Sequence, residues 1–151
     1  PAVWWLHYFN GLATFVDAID KKRELAVLIH NIAAKNKELN CHELLYESNG
    51  TMLMDKQLKD AHSMIGHPIY VHSIHHTSVS SKHDRIISMQ PFVYSGVVRF
   101  MSDYMARYPE AMNQLVFYPA YGPDDFPDCA QLGVEHFMRP RFIMKRYEKC
   151  L

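Results

Sequence analysis

The stretch VWWLHYFNGLATFVDA, residues 3–18, sets two aromatic and β-branched runs on either side of Asn10-Gly11. Such side chains suit a pleated, half-buried surface. Asn-Gly is the pair that tolerates positive φ at both centres of a two-residue turn. The chain therefore predicts an antiparallel hairpin near its start. Downstream the period changes. Leu25, Leu28, Ile29, Ile32 and Ala33 recur at helical spacing, which predicts an amphipathic helix over 21–37 with Asp20 as its N-cap. HELLYE (42–47) reads as a short apolar strand, and Met54, Leu58, Ala61 and Ile65 mark a second helix face. PIYVHSI (68–74) is a further strand.

Beyond the polar segment TSVSS, a helix is expected from Lys82 and a second hairpin-like stretch around Ser95-Gly96. Pro109 suits the first turn of another helix, and the last helix opens at DDFPD and carries Ala130, Val134 and Phe137. The order is ββ-α-β-α-β-α followed by a mixed tail. Strands alternating with helices argue for an α/β fold whose sheet is covered by helices. The opening hairpin makes that sheet mixed rather than purely parallel.

Composition bounds the function classes. A chain of 151 residues, 48% hydrophobic and 21% charged, is expected to form one globular domain over 1–151. It has no apolar run long enough to span a bilayer and no signal-like segment, so no membrane partner is expected. Cys41, Cys129 and Cys150 form no Cys-x-x-Cys pair and suit a reducing compartment. Sixteen basic residues balance sixteen acidic ones, so composition alone predicts no nucleic-acid partner. The terminal MRPRFIMKRYEKC is locally basic: it is either a phosphate grip or a solvated end. The chain opens on proline, as a processed product or a piece of something longer would.

YGPDDFPDCAQLG, residues 121–133, concentrates Asp124, Asp125 and Asp128 at the start of the last helix. Glu47 ends the HELLYE strand, where open α/β sheets place their ligands. Carboxylates converging from a strand end and a helix start offer hard oxygen donors for Mg²⁺ or Mn²⁺. Two such ions activate a water and stabilise the leaving oxygen of a phosphodiester. The alternative is structural: an ordinary strand-end acid, and an N-cap complementing the helix dipole. Ten histidines include HSIHH (72–76), but no second Cys or His pair has zinc-finger spacing. Adjacent strand positions face opposite ways, so of Trp4 and Trp5 one belongs to the core and the other is left to stack on bases.

The segments KHDRIISMQPFVYSGVVRF and NQLVFYPAYGPDDFPDCAQLGVEHF, preceded by LLYESNG, resemble the C-terminal nuclease domain of the large terminase subunit of tailed bacteriophages. The resemblance rests on Lys82, Arg85, Ile86, Pro91, Gly96, Gln114, Leu115, Tyr118-Pro119 and Asp124-Asp125-x-x-Asp128, and covers roughly 42–138. Cys129 stands where alanine is usual. The resemblance implies an RNase H-like mixed sheet flanked by helices and a metal-dependent endonuclease that cuts concatemeric double-stranded DNA during packaging. It implies Glu47 and Asp125 as metal ligands in a two-metal Mg²⁺ or Mn²⁺ site, Asp124 as a second ligand or neighbour, and Asp128 as a structural or outer member. Lys82, Arg85 and Asn49 would contact DNA.

The same resemblance implies a terminase ATPase domain, a small terminase and a portal as partners, in the host cell cytoplasm. No Gly-x-x-x-x-Gly-Lys-Ser/Thr loop occurs, so the motor half is absent from this chain. Family domains open with a strand carrying the first catalytic aspartate. Here the hairpin comes first, so that strand is expected to be missing, and neither Asp17 nor Asp20 matches its position. Two rivals remain: another RNase H-like nuclease or recombinase, and a non-catalytic module docking DNA or the packaging machinery.

Overall fold

The computed structural model describes residues 2–19, 24–47, 52–74 and 81–138. Along the chain these form β1 (Val3–Phe9), β2 (Leu12–Ile19), α1 (Leu25–Glu38), β3 (Glu43–Glu47), α2 (Met52–Met64), β4 (Tyr70–Ile74), α3 (Lys82–Ile87), α4 (Gln90–Tyr94), β5 (Val98–Phe100), α5 (Tyr104–Arg107), α6 (Pro109–Val116) and α7 (Asp125–Met138). The chain is α/β and divides into two compact units. One comprises Pro1–Asp20 with Ser81–Leu151, the other Lys21–Ser80.

In the first unit, β1 and β2 form the expected hairpin, with Asn10 at φ 49° and Gly11 at φ 78°. Both turn centres are left-handed, the geometry whose twist matches the flanking strands. A register shift between Trp5 and Leu6 leaves Val16 of β2 as the extra residue, so the bulge is in β2. Strand β5 then joins the other edge of β2 in parallel, pairing Ala13 with Val98 and Phe15 with Phe100. The three-stranded sheet β1-β2-β5 is therefore mixed.

The Ser95-Gly96 signal has a different meaning from the hairpin expected there. Gly96, at φ 72°, ends α4, its amide bonding back to Val93 O, and the chain passes on into β5. Glycine marks positive φ, and a helix C-terminus needs that as much as a hairpin does. The helix expected from Lys82 also breaks, at Ser88-Met89, and Pro91 opens α4 within its first turn.

Ala13, Phe15, Asp17 and Ala18 of β2 are buried, and Ala13, Phe15 and Ala18 join the core cluster. Phe15 is 1% exposed and packs with Val98, Tyr104, Met89, Met112, Ala130 and Val134. Neither tryptophan is left free to stack on bases. Trp5 is buried, while Trp4 stacks on Tyr104 at 5.6 Å and meets Phe126 edge-on at 5.5 Å. Asp17 is buried, which would be costly for an unpaired carboxylate. It accepts hydrogen bonds from the Tyr108 hydroxyl and the Ala18 amide, and Arg107 lies 3.5 Å away. Asp17 thus fastens β2 to the α5–α6 corner. Asp20 lies outside the described residues.

The second unit is a β-α-β crossover with an extra helix. Strands β3 and β4 pair in parallel, Glu43 opposite Tyr70 through Glu47 opposite Ile74. Among the described residues they form a separate two-stranded sheet, where one mixed sheet was expected. Helix α1 begins at Leu25, four residues later than the apolar period predicts; Asp20 and 21–23 are outside the described residues. Leu28, Ile29, Ile32 and Ala33 are buried as the period requires, and α1 packs on α2.

The interface between those two helices holds a histidine that the apolar pattern passes over. His62 lies one turn beyond Leu58 and is 0% exposed. Its Nδ1–H donates to Leu58 O at 2.6 Å, which leaves Nε2 to accept from the Asn36 amide at 3.0 Å. Burial holds its pKa below the ordinary histidine value, helped by the nearby His67 and opposed by the bond to Leu58. Protonation would set two donors against each other at Asn36. Because the folded pKa is the lower one, the unfolded chain takes up the proton first. The stability from neutral His62 is complete above about pH 6.5 and is lost as pH falls through the lowered folded pKa. Thermal melts from pH 7.5 down to pH 5 should show this loss. In His62→Leu this contribution to the pH slope disappears, while neutral-pH stability falls by about 0.5–1.5 kcal/mol through the lost hydrogen bond to Asn36.

Among the described residues, no helix is long and apolar enough to cross a membrane.

Candidate functional site

The first unit gathers most of the chemistry-bearing residues where α3 packs against the start of α7. Local sequence fixes α3. Ser81 caps it, its hydroxyl oxygen accepting from the Asp84 amide at 3.1 Å and its O–H donating to Asp84 Oδ2 at 2.6 Å. The start of α7 is fixed from two sides. The buried Gln114 of α6 accepts from the Phe126 amide at 3.3 Å and donates to Glu110 at 2.9 Å. Trp4 Nε1 donates to Phe126 O at 3.1 Å. The first turn of α7 thus has little freedom to move, and its acids are presented from a rigid support.

On that support Lys82 Nζ lies 2.7 Å from Asp124 Oδ1 and 3.4 Å from Asp128 Oδ2. Arg85 takes the other Asp128 oxygen at 3.2 Å. The arrangement is graded in depth. The Arg85 and Asp128 side chains are 14% and 16% exposed, whereas those of Lys82 and Asp124 are 40% and 42% exposed. Water weakens the outer pair, and exposed pairs of this kind contribute only about 0–1 kcal/mol. The inner pair is closer to a structural tie.

Charges respond accordingly. The hydrogen bond from Lys82 holds the Asp124 carboxyl below its ordinary pKa. For Lys82, burial pulls downward, but the bond to Asp124 and the charges of Asp128 and Asp124 outweigh it and raise the pKa. Both groups are ionised at neutral pH. Nearby, the Tyr118 hydroxyl and His83 Nδ1 share a hydrogen bond of 3.1 Å, and their rings stack at 5.6 Å. Burial and then the Asp124 charge raise the Tyr118 pKa, so the phenol stays protonated. Cys129, one residue past Asp128, is pushed up to about 12 by burial and then by the Asp128 charge; it is a neutral packing thiol.

No protein-family model matches this chain, and no curated protein matches its sequence.

Of the residues singled out from sequence, Lys82, Arg85, Asp124 and Asp128 come together as one ion-paired group. Asp125 opens α7 as an exposed residue and forms no ion pair among the described residues. Glu47 ends β3, exposed, in the second unit. Asn49 and the basic stretch from Arg139 onward lie outside the described residues. His83, Tyr118 and Gln114 are the additions that folding makes. Gln114 and Tyr118-Pro119 were legible only as parts of a pattern.

The acids present a donor set of carboxylate oxygens, the ligand type hard divalent cations select. Among the described residues no three His, Cys, Asp or Glu side chains already converge as a metal cage. In the structure, the cation between Asp124 and Asp128 is the protein's own Lys82.

Proposed function

We propose that the chain is a divalent-metal-dependent DNA endonuclease domain of the terminase type, with an RNase H-like fold. One observation carries the reading. Two sequence segments about 40 residues apart, each part of the terminase-like pattern, meet side chain to side chain at a helix start, with Lys82 and Arg85 on Asp124 and Asp128. The sheet content supports it: an opening hairpin, a helix, then two parallel strands joined by a helix, with Glu47 closing the first of them.

In this reading Asp124 and Asp125 would hold Mg²⁺ or Mn²⁺, which would supply an activated water and neutralise charge at the leaving oxygen. Asp128 stays on Arg85 and keeps the α3–α7 contact in place. Lys82 and Arg85 present positive charge toward the phosphodiester, and Asn49 contacts the DNA strand. Gln114 and Trp4 hold the α7 turn so that its carboxylates need no reorganisation on metal binding. The substrate is double-stranded concatemeric DNA in the host cell cytoplasm. The ATPase motor, the small terminase and the portal supply translocation and docking.

Conversion of supercoiled plasmid to nicked circles in Mg²⁺ or Mn²⁺, abolished by a chelator, is the expected result. A chain that binds DNA but never nicks it, with either ion, would establish the second reading, a non-catalytic docking module. That reading is favoured by one feature: two of the acids are already neutralised by the protein's own cations.

A further inference from the structure

We propose that the second unit carries a small phosphate-binding pocket at the end of α2, formed by Lys59, Ser63 and His67. The pocket lies wholly within that unit and does not depend on the nuclease reading.

Local sequence builds it. Lys59 and Ser63 stand four residues apart on α2, so both project from one face of the helix. The helix ends at Met64, and Gly66, at φ 64°, turns the chain out of it. Lys59, Ser63, Gly66, His67, Pro68 and Ile69 then line an open pocket of about 330 Å³. Its wall is fixed in advance. The His67 amide donates to His62 O at 3.0 Å, and its Nε2–H donates to Cys41 O at 2.8 Å. The His67 ring stacks on that of His42 at 4.6 Å, and His42 Nδ1–H donates to Pro68 O at 3.2 Å. Lys37 of α1 ties the end of α2 by donating to Ile65 O at 2.8 Å.

His67 is the residue that points to a ligand. It is 6% exposed, yet it lines the pocket. A carbonyl can only accept, so the bond to Cys41 O puts the ring proton on Nε2. Nδ1 keeps a lone pair with no hydrogen-bond partner among the described residues. Such an acceptor costs free energy unless water or a ligand reaches it, and the pocket supplies that access. The other two groups are donors. Lys59 is held only loosely, 3.9 Å from Asp55, and the exposed Ser63 hydroxyl has no hydrogen bond among the described residues. An ammonium, a hydroxyl and a lone pair together fit a tetrahedral oxyanion that retains one proton. Its charged oxygens accept from Lys59 and Ser63, and its O–H donates to Nδ1. Phosphate and its monoesters can carry that proton, the monoester losing it with a pKa of about 6. Sulfate carries none at neutral pH and would set an oxygen against the Nδ1 lone pair.

The test uses the whole chain, followed by ¹H–¹⁵N spectra at neutral pH and constant ionic strength. Sodium phosphate, thymidine 5′-monophosphate and sodium sulfate are added in separate titrations. Phosphate is expected to shift the amides of Ser63, Gly66, His67 and Ile69 saturably in the millimolar range. The His67 Nδ1 signal should move as its lone pair takes up a hydrogen bond. Sulfate should bind about tenfold more weakly, the worth of that one bond. Lys59→Met and Ser63→Ala change exposed positions of α2 and leave the bonds of His67 intact. Each is expected to weaken phosphate binding about three- to tenfold.

Thymidine monophosphate binding as well as phosphate supports the pocket and makes its ligand the phosphoryl end of a nucleotide. Binding of phosphate without the nucleotide supports it as a site for the free ion. Sulfate binding as tightly as phosphate overturns the proposal, because Lys59 would then be attracting any anion. Unchanged phosphate affinity in both variants, or no saturable shift at these four amides, also overturns it.

Discussion

Asp125→Asn is expected to lower metal-dependent nicking at least about a hundredfold, since losing even an outer-shell partner of a metal ligand costs about 10–100-fold. The same substitution should barely move the urea midpoint. Asp125 is the exposed first residue of α7 and forms no ion pair among the described residues. Its favourable interaction with the helix dipole, about 0.3–1 kcal/mol, is offset by relief of repulsion from Asp124. Glu47→Gln should change stability little, because Glu47 is an exposed strand end in the second unit. Asp128→Asn should behave differently, weakening the half-buried tie to Arg85 and lowering the midpoint as well as the rate. Plasmid nicking and urea unfolding on the same four proteins separate these roles. Asp125→Asn with wild-type nicking would remove Asp125 from the chemistry.

Phe15→Ala carries the largest expected effect on stability, about 3–5 kcal/mol. Phe15 is 1% exposed on β2, the middle strand of the first sheet. Its ring meets Trp4 at 4.9 Å and Phe100 at 5.0 Å, so truncation opens a cavity shared by both neighbouring strands. Against a typical total of about 5–15 kcal/mol, the first unit would be left marginal. Phe15→Leu keeps most of the volume and should cost clearly less. The denaturation midpoint, read by tryptophan fluorescence, reports the change directly, since both tryptophans are on β1. A Phe15→Ala midpoint equal to that of wild type would show that the β1-β2-β5 sheet does not carry the core.

Features governed by neighbours along the chain are legible in the residues themselves. Asn10-Gly11 announces its turn because the sterics of two residues decide it. The buried face of α1 is legible because helical periodicity places Leu28, Ile29, Ile32 and Ala33 side by side whatever they pack against. The acids of DDFPD likewise fall at a helix start on local grounds.

Tertiary structure decided the rest. Gly96 signals positive φ, but whether the chain then doubles back or runs parallel to β2 depends on which edge of the sheet is open. His62 sits on the apolar face one turn past Leu58, so its burial was within reach of the pattern; its partner Asn36 belongs to another helix and was not. Asp17 reads as a free acid until the α5–α6 corner brings Tyr108 and Arg107 to it. The same holds for the candidate site. Sequence supplied three carboxylates and two cations in separate segments, and only the docking of α3 on α7 converts Lys82 and Asp124 from exposed charges into partners 2.7 Å apart. Charge pairing falls steeply with distance and with access of water, and neither quantity is defined until the chain has folded.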